Sequence, residues 1–228
     1  MAGKLHSGHR SRVKQKFIEY GLDNFSEHEV LELLLFFTIP QGDTNEIAHR
    51  LINHFGSLTS VFEASANALT TVKGVGNSSA LLLKLTLAVA GRYEIEKTNM
   101  AVKSRILSSD EAGRFLLPYF VTAAKEETYL LLLTAVGKVI SCRKIFEGNP
   151  AATDLNTYNI LHRAIEGNAV GVVLAHNHPS GVAIPGKQDI AATAMVNTAL
   201  KIVGIKLIDH IIIAGTDWVS MRESHMLD

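Results

Sequence analysis

The feature that most constrains this chain is an apolar strand pattern that ends in two histidines separated by one residue. Residues 170–175 are apolar apart from one glycine, and His176, Asn177 and His178 follow directly. Side chains at positions i and i+2 of a strand point to the same face of a sheet. His176 and His178 are therefore expected to project together from the strand end, where two imidazoles can share one metal ion.

A loop that contains proline and glycine follows the histidines and leads to Asp189 at the start of a helical pattern. Asp189 can supply a third ligand and leave a fourth tetrahedral position for water, which is typical of a catalytic zinc site. The alternative is that His176 and His178 are polar residues of an exposed loop. The strand before the histidines, the turn residues after them and the spaced aspartate favour the zinc site.

Strand patterns alternate with helix patterns in the C-terminal half, after an initial hairpin at Gly137. This order predicts an α/β domain in which helices enclose a mixed sheet. The strand patterns cover residues 128–136, 138–146, 170–176 and 204–214, and the helix patterns cover residues 108–117, 156–166 and 188–202. Residues 94–104 are polar and lack apolar periodicity. We predict a linker at residues 98–104, between domains at residues 1–97 and 105–228.

The N-terminal half has helix patterns only. They cover residues 8–20, 30–37, 44–54, 66–72 and 77–92. Ser26 and Glu29 predict a capping box, Asp43 or Thr44 predicts a helix start, and Gly56 predicts a helix end. The tight turn Lys-Gly-Val-Gly at residues 73–76 separates the last two patterns, and helix, turn and helix together predict a helix-hairpin-helix unit.

In such a unit the two glycines bring the backbone close to a phosphate, and N–H groups at the start of the second helix can bind it. The basic N-terminal helix is a second candidate for phosphate contact. The candidate nucleic-acid contacts are Lys73, Gly74, Gly76, Asn77, Ser78, Arg10 and Arg12. The alternative interpretations are a plain turn in a small helical bundle and a solvated helix face.

The overall charge neither favours nor excludes nucleic acid, because Lys plus Arg and Asp plus Glu number 22 each. Residues 1–97 contain ten basic and ten acidic residues, although the first sixteen residues contain five basic residues and no acidic one. Any DNA binding would therefore depend on a local patch, and we expect it to be weak and sensitive to salt.

The single cysteine, Cys142, cannot form an internal disulfide and suits a reducing compartment. The N-terminus is polar and basic without an apolar segment, and no apolar run approaches the roughly 20 residues that span a bilayer. We expect a soluble cytoplasmic protein with no membrane association, in which Cys142 is a buried structural residue.

Several segments resemble the RadC family over nearly the whole chain. They are AHNHPSG, GIKLIDHIIIAG and WVSMRE in the C-terminal half, and GHRSR, FGSL and KGVG in the N-terminal half. The resemblance implies a C-terminal JAMM/MPN domain of the Mov34 type, with a cytidine-deaminase-like fold, in which His176, His178 and Asp189 hold Zn²⁺. It also implies an association with DNA and DNA repair, and protein partners or self-association through the MPN domain.

The JAMM motif also has a glutamate on an upstream strand that acts as the base, and a serine three residues before the ligand aspartate that stabilises the oxyanion. The family pattern places Arg143 at the glutamate and Gly186 at the serine. Arginine stays protonated and cannot act as a base, and beside the metal its charge would lower zinc affinity. Glu147, four residues further on the same predicted strand face, is about 13 Å from Arg143 and could substitute only with a bulge or a register shift.

Three functions follow from these patterns. The first is a RadC-like, DNA-associated protein whose metal site is impaired for hydrolysis. The second is an active zinc-dependent metallopeptidase in which Glu147 or another residue is the base. The third is a non-catalytic MPN scaffold for protein interactions. Asp209 and His210 are expected to support the ligands from outside or to form a structural network, rather than to bind the metal.

Overall fold

Helices form the N-terminal part of the chain. The computed structural model describes residues 8–101, 105–148, 157–179 and 181–227. The chain divides into two compact units, Met1–Ala90 and Gly91–Asp228. The helices of the first unit are α1 (His9–Tyr20), α2 (Glu27–Leu35), α3 (Thr44–Phe55), α4 (Leu58–Glu63) and α5 (Ala66–Thr70), and α6 (Asn77–Ala101) begins in it.

The helix ends of this unit follow the predicted capping residues. The Glu29 carboxylate accepts a hydrogen bond from the Ser26 N–H at 2.9 Å. This bond and the ion pair with Lys16 lower the pKa of Glu29 to about 2. Asp43 accepts from the N–H groups of the second and third residues of its helix, and α3 ends at Gly56 with φ of 92°. The predicted caps are thus confirmed. They could be predicted because each depends only on a few neighbouring residues.

α6 is longer than predicted, since it continues beyond residue 92 to Ala101. The predicted linker at residues 98–104 is therefore helical through Ala101, and residues 102–104 lie outside the described residues. Arg92 and Glu96 form an i,i+4 ion pair at 2.6 Å, and such pairs support a helix that lacks an apolar stripe. The division between the two units falls at Ala90/Gly91, inside α6.

The second unit is built on a mixed sheet of five strands. Its strands are β1 (Glu126–Leu133), β2 (Val139–Gly148), β3 (Gly171–Asn177), β4 (Lys206–Ala214) and β5 (Asp217–Ser220). They lie in the order β2-β1-β3-β4-β5, in which β3 and β4 are parallel and the other neighbours are antiparallel. Every residue of the central strand β3 is buried, which explains its apolar sequence. The predicted fold class, a helical part followed by a mixed sheet with helices, is confirmed.

Helices cover both faces of this sheet. We call one face the α9 face, where Leu130 and Leu174 pack against α8 (Thr157–Glu166) and α9 (Lys187–Ile202). We call the other the α7 face, where Leu131 and Val173 pack against α7 (Ser109–Leu116) and the following 3-10 turn (Leu117–Phe120). The short elements α4 and β5 were not predicted. No helix in the described ranges is both long and apolar enough to cross a membrane.

Gly113 of α7 lies directly against Trp218 of β5, so a Cβ at position 113 would overlap the indole ring. A Cβ at Gly91 of α6 would instead make an ordinary 3.5 Å contact with Thr122. We expect Gly113→Ala to lower the free energy of unfolding by about 1–3 kcal/mol through overpacking. We expect Gly91→Ala, in a helix interior, to raise it by about 0.5–1 kcal/mol.

Urea unfolding monitored by the fluorescence of Trp218, the chain's one tryptophan, measures both effects. Equal stability of the two variants would contradict the packing of Trp218 on Gly113.

Candidate metal centre

The end of β3 and the start of α9 bring the three predicted ligands together. His176 is buried within β3, and His178 follows the strand, where its N–H donates to the Ile213 carbonyl at 2.7 Å. Asp189 is the third residue of α9. One ligand atom from each of the three side chains lies within 4.8 Å of the others.

The distances between these atoms fit a tetrahedral ion. Nε2 of His176 lies 2.9 Å from Nε2 of His178 and 3.3 Å from Oδ1 of Asp189. Nε2 of His178 lies 3.5 Å from Oδ2 of Asp189. Neighbouring ligands of a tetrahedral Zn²⁺ are about 3.3–3.4 Å apart when the metal–ligand bonds are about 2.0–2.1 Å long. The two distances to the Asp189 oxygens match this spacing and the distance between the imidazole nitrogens is shorter, so the three side chains are close enough to share one ion.

The protonation of the site also suits a cation. Nδ1 of His178 lies 2.9 Å from the Val182 carbonyl oxygen and must donate to it, so in the neutral ring Nε2 keeps its lone pair. That lone pair faces the carboxylate of Asp189. Burial alone would raise the pKa of Asp189, but contact with His176 and the hydrogen bond from the Gly186 N–H hold it at about 2. Lone pairs and a carboxylate this close repel one another unless a positive ion lies between them.

His210 and Asp209 lie on opposite faces of the sheet, and His210 contacts the centre. Nε2 of His210 lies 2.8 Å from Nδ1 of His176, and burial, followed by the neighbouring His176, lowers the pKa of His210 well below its ordinary value. Asp209 accepts hydrogen bonds from the Ser220 hydroxyl at 2.6 Å and the Arg222 N–H at 3.1 Å. These contacts place His210 beside a ligand and fix Asp209 to the C-terminal segment, as expected.

Glu126 was not predicted as a site residue, yet it begins the strand that pairs with the histidine strand. β1 and β3 are antiparallel with Thr128 opposite His176, and opposite residues share a face of the sheet. Continued by two residues beyond this last pair, the register brings Glu126 opposite His178, and the Glu127 N–H, which donates to the Asn177 side chain at 2.8 Å, holds the two segments together there. Cβ atoms of opposite residues are about 5 Å apart, so the half-buried Glu126 carboxylate lies on the face that carries the ligands.

The register of β2 corrects the placement of Arg143. Arg143 is opposite Leu130, which is opposite Leu174 of β3. Arg143 is therefore separated from His176 by two strand spacings across the sheet and two residues along it. This corresponds to roughly 12 Å between the two Cα atoms. The expectation that Arg143 lies beside the metal is wrong, because Arg143 is on β2 and β1 separates that strand from β3.

Glu147 is also excluded as the substitute base, since it lies on the other face of the sheet. The pairing passes from Tyr129 opposite Lys144 to Thr128 opposite Phe146, which leaves Ile145 as a β-bulge. Beyond the bulge Glu147 shares the α7 face with Glu127, and both bind Lys144, at 2.6 Å and 3.0 Å. A bulge reverses the side of every following residue, so Arg143 and Glu147 do not share a face.

Gly186 and Cys142 contribute no reactive side chain. Gly186 precedes α9, and its N–H donates to Oδ2 of Asp189 at 2.7 Å. The first carbon of a serine at this position would lie 3.3 Å from that oxygen, so the position is tight but open. Burial raises the pKa of Cys142 to about 12, which suits the predicted structural role.

The predicted hairpin in the N-terminal unit lies between α5 and α6. Gly74 has φ of +99°, and a Cβ there would come within 2.9 Å of the Ile47 side chain, so both the turn and its packing require glycine. Lys73, Asn77 and Ser78 are exposed on this hairpin. Arg10 is engaged elsewhere, because its guanidinium donates to the carbonyls of Pro40 and Gly42.

Comparison with known proteins agrees with this architecture. A family model described as the RadC-like JAB domain matches residues 106–226, and one described as UPF0758 N-terminal matches residues 6–81. The chain is 34% identical over 232 residues to a UPF0758 protein of Fusobacterium nucleatum subsp. nucleatum, with 100% of both chains covered. It is 30% identical over 224 residues to a UPF0758 protein of Clostridium perfringens, with 98% of this chain and 96% of the relative covered.

A mixed sheet with two histidines at the end of a central strand and an aspartate at the start of the next helix defines a domain of the JAB, or MPN, type. The chain belongs to the RadC-like UPF0758 family. The predicted family resemblance is thereby confirmed.

The geometry predicts one zinc ion per chain. Loss of an outer hydrogen-bond partner of a ligand weakens metal binding by roughly 10- to 100-fold. We expect His178→Ala, which removes a ligand itself, to weaken zinc binding by more than this. His162→Ala, which changes an exposed histidine of α8 in the same unit, should leave the affinity unchanged. Elemental analysis of untagged protein and competition with a chromophoric chelator measure stoichiometry and affinity. Equal zinc affinity of the two variants would refute the assignment.

Proposed function

We propose that this chain is a metal-dependent hydrolase of amide bonds, with His176, His178 and Asp189 as metal ligands and Glu126 as the base. The observation that supports the proposal is the β1–β3 register, in which Thr128 is opposite His176, because its continuation by two residues would bring the Glu126 carboxylate opposite His178 on the face of the three ligands. Family membership supports the reaction class, since a JAB domain is a fold of metallopeptidases. The described geometry thus favours the active alternative among the three functions predicted from the sequence.

A Zn²⁺ ion bound to the three ligands would act as a Lewis acid and lower the pKa of a water molecule in the site. Glu126 would accept a proton from the attacking water and return it to the nitrogen of the leaving group. The half-buried position of this carboxylate leaves it accessible to substrate. Lys144 engages Glu127 and Glu147 on the α7 face, so it does not neutralise Glu126.

The glycine at position 186 affects rate more than mechanism. The JAMM serine that stabilises the oxyanion is replaced by a residue without a side chain, and the Gly186 N–H is already bonded to Asp189. Removal of one oxyanion donor costs about 10²–10³ in kcat in a well-studied protease. We therefore propose slow turnover, with the ligands and the base intact. The impaired-site function and the non-catalytic scaffold remain as the two alternative outcomes of the test.

Glu126→Gln keeps the shape of the side chain and removes the base, so we expect it to lower kcat by at least about 10² with little change in zinc affinity. Glu147→Gln, the matched control on the α7 face, should retain activity. The substrates are a library of internally quenched peptides and an isopeptide-linked substrate, assayed with zinc-loaded protein. Full activity of Glu126→Gln would contradict its role, and a zinc-loaded wild type that cleaves nothing would favour the scaffold or the impaired site.

We also propose that the hairpin between α5 and α6 contacts the nucleic-acid backbone, because Lys73, Asn77 and Ser78 are exposed where N–H groups begin a long helix. Loss of one phosphate contact lowers the slope of log K against log salt concentration by about 0.9. We expect this change for Lys73→Gln. The control Lys206→Gln, on an exposed residue of the second unit, should not change the slope. Fluorescence anisotropy with a labelled DNA duplex at several salt concentrations measures it, and equal slopes for both variants would exclude the hairpin.

A further inference from the structure

A buried chain of hydrogen bonds connects a metal ligand to the helix that carries another ligand. Nδ1 of His176 lies 2.8 Å from Nε2 of His210, and Nδ1 of His210 lies 2.6 Å from the Thr193 hydroxyl. That hydroxyl lies 2.5 Å from the backbone oxygen of Asp189, one turn earlier in α9. Thr193 is 1% exposed and His210 is fully buried, so water does not compete for these contacts.

The direction of each bond in this chain is fixed by chemistry. A carbonyl oxygen has no proton, so the short contact with Asp189 requires the single hydroxyl proton of Thr193. The Thr193 oxygen must then accept at its contact with His210, which places the proton of that ring on Nδ1. Nε2 of His210 is left with a lone pair, and it accepts from the Nδ1–H of His176. The Nε2 lone pair of His176 consequently points to His178 and Asp189.

We propose that Thr193 and His210 are positioning residues, which hold His176 in the one tautomer that can bind a metal through Nε2. The inference rests on the proposed function only in that the centre holds a metal ion. Without the Thr193 hydroxyl, His210 can carry its proton on Nε2 and donate to His176. His176 would then protonate Nε2 and lose its ligand lone pair.

The arrangement also orients both ligands together. Asp189 and Thr193 are four residues apart on α9, so they lie on the same side of the helix. The same threonine that directs His210 is bonded to the backbone of the ligand Asp189. A shift of α9 relative to β4 would therefore break the hydrogen bond between Thr193 and His210. The same shift would move the Asp189 carboxylate. The hydroxyl also lies 3.6 Å from Met221 Sδ, a weak acceptor that cannot replace His210.

The test compares two substitutions of Thr193. Valine has the same shape and lacks the hydroxyl, whereas serine keeps the hydroxyl and lacks the methyl group. We expect Thr193→Val to weaken zinc binding by about 10- to 100-fold, the cost of losing an outer hydrogen-bond partner of a ligand. Thr193→Ser should stay within a few-fold of the wild type. Competition of Zn²⁺ with a chromophoric chelator measures both affinities without any substrate. Equal loss in the two variants would indicate packing alone and overturn the proposal, as would an unchanged affinity in Thr193→Val.

A second measurement needs no variant. Two-bond ¹H–¹⁵N correlation spectra of the metal-free wild type report which nitrogen of His210 is protonated. We expect the proton on Nδ1, and a proton on Nε2 would overturn the proposal even if Thr193→Val failed to fold. Zinc binding with the expected tautomer but no hydrolysis would refute only the proposed function. A wild type that binds no zinc would refute both.

Discussion

The antiparallel pairing of β1 with β3 is the contact on which the proposed site depends. β3 supplies the histidines, but a strand end with two imidazoles has no base of its own. The ladder from Leu133 opposite Gly171 to Thr128 opposite His176 continues without a register shift. Because side chains alternate, a slip of one residue would place Glu127 on the ligand face and Glu126 on the other. Six consecutive residue pairs thus determine which carboxylate can reach the metal.

The ligands could be predicted from the sequence because their geometry is local. His176 and His178 share a face through the two-residue period of a strand, and Asp189 returns through a short loop into the first turn of α9. The caps at Ser26 and Asp43 could be predicted for the same reason. Each of these features is determined by fewer than about fifteen consecutive residues, so no knowledge of strand pairing is needed.

The proposed base could not be predicted because its position depends on pairing between distant segments. Glu126 and Glu127 follow Lys125, and three charged residues in succession indicate a loop, so the predicted strand began two residues late. The β-bulge at Ile145 produced the second error, which was to place Glu147 on the same sheet face as Arg143. Nothing in the sequence around Ile145 indicates an extra residue, since the bulge arises where β2 pairs with β1. Side chains alternate along β1, so Glu126 lies on the same face as Thr128. Glu126 could therefore have been identified if Thr128 had been placed opposite His176.

The centre is divided among three elements, and this has a consequence for stability as well as for chemistry. β3 provides two ligands, α9 provides the third, and β4 provides the imidazole that orients His176. An ion that binds this arrangement and not the unfolded chain stabilises the folded state by about 2.7 kcal/mol at a free concentration 100 times its Kd. Metal binding therefore favours the folded state, in which α9 packs against β3 and β4. Thr193 and His210 are buried at this contact, where polar groups without hydrogen bonds would be costly. The same hydrogen bonds that prepare His176 for the metal thus satisfy the polar atoms of Thr193 and His210 that the fold buries.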